Sequence, residues 1–216
     1  MSVTFKLPRG FAGKRLDKNT VPAQVAMLAL SCALAAFALG ELSAYLKPLI
    51  EQNRLNKNIA TLNELVPNAN IDESLFNNAS EIELDGSEYQ VMTLRDPTGT
   101  PLYYVLSGAE PGYSGDIRFM VAVDVEGIIK NVRVMSHTET PGLGDKIELA
   151  KSDWILSFNT LSLFNTPIWG VEKDGGTFEQ FTGATITPRA VVRGVHRALL
   201  AHSLIKETQE KEALDE

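Results

Sequence analysis

The sequence predicts an α+β fold, in which one N-terminal transmembrane helix is followed by a mainly antiparallel sheet with packed helices. Three observations support this prediction. Residues 21–40 form an uncharged apolar run, residues 81–136 contain short runs in which apolar and polar side chains alternate, and further helical patterns come only after those runs. Strands followed by helices, without regular alternation of the two, are typical of α+β proteins.

The predicted transmembrane helix covers residues 21–40 and contains no charged side chain. As an α-helix such a run is about 30 Å long, which matches the hydrocarbon core of a bilayer. Residues 1–20 carry a net charge of +4, and the remaining 196 residues carry −11. The basic flank predicts a cytoplasmic leader over residues 1–20 and an exported body. A cleaved signal peptide, with Ala36-Phe37-Ala38 at its cleavage site, is the alternative and exports the same body.

Composition excludes several kinds of site from the exported body. The only cysteine, Cys32, lies within the apolar run, so the body can contain neither a disulfide nor a cysteine-based metal or redox centre. The acidic charge of the body argues against nucleic acid as a partner. Redox chemistry in this part of the chain would therefore depend on a bound cofactor.

Residues 41–80 are predicted to form a helical connector and a linker. Apolar residues recur at helical spacing between Glu41 and Pro67, and Pro48 could kink this helix. Asn68–Ser80 is rich in Asn and acidic residues. Such a composition is typical of a linker, which here has room for one helical turn.

The sheet is predicted between residues 81 and 136. Glu81–Leu84 and Tyr89–Arg95 are predicted to form a hairpin, because Asp85-Gly86 supplies the positive φ values of a tight turn. From Ile117 to Val125 apolar residues alternate with Arg118, Met120, Ala122 and Asp124, which predicts a strand with one buried face. Further strands are predicted at Leu102–Leu106 and Ile128–Ser136.

Two helices are predicted after the sheet. The first begins at Asp145-Lys146-Ile147-Glu148, which is placed like a capping box, and its apolar face comprises Ile147, Ala150, Trp154 and Phe158. The second has Thr187 as its N-cap and Pro188 in its first position. Its apolar face comprises Val191, Val192, Val195, Ala198 and Leu199, and a polar tail over residues 206–216 follows.

Familiar catalytic and metal-binding patterns are not found in the sequence. Gly142-Leu143-Gly144 begins like a dinucleotide fingerprint, but Ile147 stands where the third glycine belongs. His137 and Glu139 could offer two metal ligands from one strand face, whereas His196 and His202 are six residues apart on the last helix. We therefore predict no metal site and no residue that acts as a general acid or base.

Two segments are candidates for ligand binding. The first, His137–Gly144, leaves a strand with one proline and two glycines, which would let a flat ligand approach the backbone. The second, Glu179–Thr187, places three hydroxyls before a helix N-terminus, where phosphate is a favoured guest. Taken alone, the first could be a plain turn and the second a plain helix cap. Arg189, Arg193 and Arg197 form a basic stripe that is typical of solvated surface, although Arg189 is close enough to assist a phosphate.

Several motifs together resemble the G subunit of the Rnf ion-translocating electron-transport complex, in the FMN-binding domain family. They are the Thr182–Thr185 loop before a helix, the upstream Glu139–Gly144 segment, Gly112-Tyr113-Ser114-Gly115 before a strand, and the single N-terminal membrane helix. The C subunit of the sodium-translocating NADH:quinone reductase is a more distant relative. The resemblance extends over essentially the whole chain.

The resemblance implies an electron-transfer subunit with an FMN-binding domain over residues 81–205. It implies FMN joined by a phosphoester bond to Thr185, with Thr182, Gly183, Ala184 and Thr187 beside it. Glu139, Thr140, Leu143 and Gly144 would line the flavin ring. A flavin transferase would install the FMN from FAD, and its recognition pattern usually has Asp where this chain has Glu179; we still expect modification.

The implied setting is a bacterial inner membrane. The chain would cross it once, with a cytoplasmic N-terminus and a periplasmic flavin domain, beside other integral subunits of the complex. Two other functions remain as alternatives. One is an exported binding or assembly module without flavin, and the other is a stand-alone flavin reductase with its own acceptor.

Overall fold

The computed structural model describes residues 21–67, 71 and 74–215. The predicted leader over residues 1–20 lies outside the described residues, as do parts of the predicted linker and the end of the tail. The chain divides into two compact units, Met1–Asn53 and Arg54–Glu216. The prediction of a flavin domain over residues 81–205 stays a prediction, and the second unit of the structure begins earlier than residue 81.

Helix α1, Val21–Leu65, is a single helix of 45 residues that includes both the predicted span and the predicted connector. Pro48 lies inside it without ending it. An 18-residue window of α1 has a mean hydropathy of 2.0, so by length and composition the helix could cross a membrane. The predicted linker contains one helical turn, α2, Ser74–Asn77.

The sheet has five strands in the order β1-β2-β3-β4-β5, and every neighbouring pair is antiparallel. The prediction of a mainly antiparallel α+β fold is confirmed. In the first hairpin Asp85 and Gly86 have φ values of 51° and 75°, as a tight turn requires. The strands are β1 Ser80–Leu84, β2 Ser87–Arg95, β3 Pro101–Pro111, β4 Asp116–Asp124 and β5 Ile129–Ser136.

Both faces of the sheet are covered, because two hydrophobic clusters lie on its strands. Helix α3, Ile186–Asp215, contributes Val191 and Val195 to the larger cluster. The end of α1 contributes Leu62 and Leu65, which are fully buried, to the smaller one. The prediction that β4 has only one buried face was wrong. Met120 and Ala122 are buried in the smaller cluster, since α1 packs where the alternation predicted solvent.

The prediction of one continuous helix from Asp145 to Phe158 was also wrong. Two short 3-10 helices, Asp145–Ile147 and Asp153–Phe158, occupy this segment. They are separated at Glu148 and Ser152, whose ψ angles of 133° and 150° are extended. The Ser152 hydroxyl accepts a hydrogen bond from the Trp154 amide, and such local bonds compete with a continuous helix. Trp154 and Phe158 are buried all the same.

Helix α3 begins earlier than predicted. The Arg189 amide donates to the Thr185 carbonyl at 3.4 Å, so Thr185 rather than Thr187 occupies the N-cap position. Pro188 still lies in the first turn, where its missing N–H costs no helical hydrogen bond. The Thr187 hydroxyl points elsewhere and donates to the carboxylate of Glu139.

The arginine stripe of α3 is partly exposed, and each of its side chains also binds a carboxylate. Glu110, which is fully buried at the end of β3, receives 2.7 Å hydrogen bonds from both Arg193 and Arg197. Arg189 makes two hydrogen bonds, of 2.7 and 2.9 Å, with the exposed carboxylate of Asp174. All three guanidinium groups therefore bind carboxylates of the protein itself.

His202 predicts a pH dependence of folding. Its ring is buried on α3 and meets the Tyr104 ring edge-on, with 5.0 Å between the ring centroids. Burial lowers the pKa of His202. The charge of Lys206 lowers this pKa further, whereas the charge of Asp124 raises it. Because the unfolded chain then binds more protons than the folded one, the stabilisation is present above about pH 6.5 and is lost as the pH falls further. We expect His202→Phe to reduce the difference between urea midpoints at pH 7.5 and pH 5.0. An unchanged difference would contradict this role.

Candidate functional site

A cavity of about 280 Å³ lies at the N-terminal end of α3. Its wall is formed by the two segments that the sequence singled out and by the loop after β3. The lining residues are Tyr113, Glu139, Thr140, Leu143, Gly144, Gly183, Ala184, Thr185, Ile186 and Thr187. Eight of the nine predicted site residues therefore lie together, although they come from segments about forty residues apart.

Glu139 joins the three parts of this wall. Its side chain is 5% exposed. One carboxylate oxygen accepts hydrogen bonds from the amides of Tyr113 at 2.9 Å and Ser114 at 3.0 Å. The other oxygen accepts from the hydroxyl of Thr187 in the first turn of α3. The loop after β3 and the start of α3 thus meet on one carboxylate.

Two glycines make room for this carboxylate. A Cβ at Gly112 would lie 2.6 Å from a Glu139 carboxylate oxygen, and a Cβ at Gly144 would lie 2.9 Å from the Glu139 Cβ. Both distances are shorter than the contacts that real Cβ atoms make with other heavy atoms, so a side chain at either position would clash with Glu139. Gly144, which the sequence suggested would let a ligand approach, therefore also lets Glu139 reach its partners.

The loop before α3 makes a tight turn. The Ala184 amide donates to the Phe181 carbonyl at 3.2 Å, and Gly183 has a φ of 86°, which side chains rarely adopt. Thr182, the ninth predicted residue, is exposed at the corner of this turn. It does not line the first cavity but a neighbouring one of about 530 Å³, together with Lys146, Trp154 and Glu179.

The three hydroxyls of the loop differ in their surroundings. Thr187 is buried and bound to Glu139, and Thr182 is exposed on the neighbouring cavity. Thr185 is half-buried in the wall of the first cavity, and none of the described residues forms a hydrogen bond with its hydroxyl. Of the three hydroxyl residues, Thr185 is therefore the one that lines the first cavity without a hydrogen bond from its hydroxyl to any described residue.

Both ring nitrogens of His137 contact groups of the protein itself. Its Nδ1 accepts a hydrogen bond from the Glu139 amide at 3.1 Å, and its Nε2 lies 2.6 Å from the Glu148 carboxylate. The two contacts fix the end of β5 to the segment after the cavity loop. His137 thereby helps to hold Glu139 in position.

Tyr113 and Ile186 line the cavity, although the sequence did not predict them as site residues. Tyr113 is 70% exposed and Ile186 45% exposed at the cavity. The glycines on either side of Tyr113-Ser114 were a signal in the sequence, since the Gly112 amide bonds to the Gly115 carbonyl and makes the turn that presents Tyr113. Ile186 gave no signal, because its placement depends on where α3 begins.

Comparisons with known proteins identify relatives of this chain. A model of the FMN-binding domain family matches residues 112–200, which include every residue of the cavity wall. The chain is 42% identical over 187 residues to the G subunit of the ion-translocating oxidoreductase complex of Stutzerimonas stutzeri, covering 84% of this chain and 81% of the relative. It is 40% identical to the G subunit of the same kind of complex in Vibrio atlanticus, covering 77% of this chain and 83% of the relative.

A solved structure, that of NqrC from Shewanella oneidensis, is also similar, with 23% identity and a TM-score of 0.47 over 67% of this chain and 72% of that one. The family assignment depends on the sequence relatives, because their identity and coverage are both high. The chain belongs to the family formed by the G subunits of ion-translocating oxidoreductase complexes.

Proposed function

We propose that this protein is an electron-transfer subunit of a membrane-bound ion-translocating oxidoreductase complex, and that FMN joined to Thr185 is its redox group. The observation that carries the proposal is the convergence of two sequence segments on one cavity, with the free Thr185 hydroxyl in its wall. The family match to an FMN-binding domain supports the same cofactor.

The residues of the cavity suit the parts of FMN. Leu143, Ile186 and Tyr113 present exposed apolar surface beside it, as the faces of a flat flavin ring require. The first turn of α3 supplies free amides and the positive end of a helix dipole, which favour a phosphate. Because Asp174 already holds Arg189, the helix start is the main anion-binding element here. FMN supplies the electron chemistry, and the protein supplies position and electrostatics.

The attachment is a group transfer at Thr185. The threonine oxygen forms a bond to the phosphorus of the FMN half of FAD, the pyrophosphate bond of FAD breaks, AMP leaves, and the hydroxyl proton is lost. A flavin transferase carries out this step in the proposal. Glu179, which stands where the transferase pattern has Asp, has an exposed side chain, while its carbonyl is fixed by the Trp154 indole at 2.8 Å. An exposed carboxylate at this position is consistent with recognition by an enzyme.

The membrane arrangement is part of the same proposal. Residues 21–40 of α1 would span a bacterial inner membrane once, with residues 1–20 in the cytoplasm and the flavin domain in the periplasm. The apolar stretch of α1 and the +4 charge before it support this orientation. Other integral subunits of the complex would donate and accept the electrons.

Peptide mapping tests the proposal. The full-length protein is expressed with and without a flavin transferase, digested, and analysed by mass spectrometry. We expect one FMN phosphoester on the peptide that contains Thr185, only when the transferase is present. An unmodified Thr185 in both samples would overturn the proposed attachment.

The same samples distinguish the alternatives. An exported binding or assembly module without flavin would give a colourless protein and no in-gel fluorescence after denaturation. A stand-alone flavin reductase would turn over substrate in isolation. The proposed relay requires the other subunits, so we expect bound flavin but no steady-state turnover by the isolated protein.

A further inference from the structure

We propose that the buried carboxylate of Glu139 has two separable roles: it clamps the cavity wall, and its unneutralised negative charge lowers the reduction potential of the flavin held there. This inference depends on the proposed FMN site and deepens it. The roles can be separated because the clamp needs hydrogen-bond acceptors, whereas the effect on potential needs a charge.

The clamp follows from the contacts of the two carboxylate oxygens. Hydrogen bonds from the amides of Tyr113 and Ser114 and from the hydroxyl of Thr187 occupy them. These donors belong to the loop after β3 and to the start of α3, and both segments are distant from Glu139 in the sequence. Loss of the acceptors would release the loop that presents Tyr113 to the cavity and would leave the amides of Tyr113 and Ser114 without this partner.

The negative charge of the Glu139 carboxylate is unusual because no cationic side chain among the described residues is paired with it. Within the described residues, no Lys, Arg or His side chain forms an ion pair with Glu139. The other strongly buried glutamate, Glu110, is bound by two guanidinium groups. Asp145, the buried aspartate of the cavity loop, has the Lys151 ammonium at 3.9 Å. Glu139 is therefore a buried negative charge in the wall that only neutral donors and the α3 dipole stabilise.

A fixed negative charge disfavours any further negative charge nearby, and the effect is stronger in a buried setting than in water. When the electron donor of the complex delivers two electrons and the flavin takes up one proton, the reduced flavin carries one more negative charge than the oxidised flavin. The Glu139 carboxylate therefore makes the flavin harder to reduce, and its removal would raise the reduction potential. The effect acts through space and does not require Glu139 to touch the ring.

Glutamine is a suitable probe because it keeps the shape and removes the charge. Its amide oxygen can still accept from the amides of Tyr113 and Ser114, and its amide nitrogen can donate to the Thr187 hydroxyl. Glu139→Ala removes both the charge and the acceptors. Glu83→Gln removes an exposed charge from the edge strand β1 and serves as the matched control.

The experiment uses the full-length protein expressed with a flavin transferase. Redox titration gives the flavin midpoint potential, mass spectrometry gives the occupancy of Thr185, and hydrogen exchange of the flavin-free chain follows residues 112–115. We expect Glu139→Gln to shift the midpoint to more positive values with exchange as slow as in the wild type. We expect Glu139→Ala to shift the midpoint in the same direction and to accelerate that exchange, while Glu83→Gln changes neither.

Each outcome bears on a different statement. Flavin on Thr185 with the same midpoint in Glu139→Gln and Glu83→Gln would overturn the electrostatic role. Unchanged exchange in Glu139→Ala would overturn the clamp. Absence of flavin from the wild-type protein would overturn the proposed function and this inference with it.

Discussion

Thr185→Ala is expected to abolish covalent flavin completely, because it removes the hydroxyl to which the proposed attachment joins the FMN. The backbone should tolerate the change, since Thr185 contributes its carbonyl rather than its hydroxyl to the first turn of α3. In-gel fluorescence after denaturation, together with intact mass, measures the loss. Unfolding in urea, followed by the fluorescence of Trp154 and Trp169, shows whether the fold persists.

Two variants control this result. Thr182→Ala removes the exposed hydroxyl on the neighbouring cavity, and we expect it to keep the flavin on Thr185. Thr185→Ser restores a hydroxyl at the same position, and we expect it to restore the adduct. Covalent flavin of undiminished amount in Thr185→Ala would show that another residue carries it.

Glu110→Gln is expected to give the largest loss of folding stability among single charge changes. Glu110 is fully buried and accepts hydrogen bonds from Arg193 and Arg197, so its replacement leaves two guanidinium groups without their anion. Breaking a buried ion pair costs about 3–5 kcal/mol. We expect about 3 kcal/mol, the lower end, because the two arginine side chains are 44% and 26% exposed and can regain water.

The measurement is urea unfolding of the full-length protein in detergent, with emission from the two tryptophans as the signal. Asp174→Asn is the matched control, because it removes an ion pair of the same helix whose partners are both about 40% exposed. We expect a much smaller loss than for Glu110→Gln, because solvent screens the attraction between exposed charges. Equal effects of Glu110→Gln and Asp174→Asn would contradict the importance of burial for the Glu110 contacts.

The sheet could be predicted because local signals determine it. Asp85-Gly86 defines the first hairpin, and alternation locates the strands on either side of each turn. The segment from Asp145 to Phe158 could not be predicted, because periodic apolar residues fit a helix as well as two short 3-10 turns. The two turns are separated at Ser152, whose hydroxyl accepts a hydrogen bond from the Trp154 amide at the start of the second turn.

The site was predictable as two segments but not as one cavity. Proline, glycines and hydroxyls mark Glu139–Gly144 and Thr182–Thr187 as loops that could bind a ligand. That these loops meet depends on a hydrogen bond between Glu139 and Thr187, forty-eight residues apart, which no local pattern indicates. The same long-range pairing explains why Glu139 was predicted to line the flavin and was not recognised as the link between the segments.

The burial of Leu62 and Leu65 has a consequence for anyone who shortens this chain to obtain a water-soluble fragment. A fragment that begins at the first strand would lack both leucines, and the apolar side chains of Met92, Val105 and Met120 would face water. Exposed apolar surface on a sheet favours aggregation. A fragment that begins at Arg54, where the second compact unit starts, keeps this cover and leaves out the apolar run.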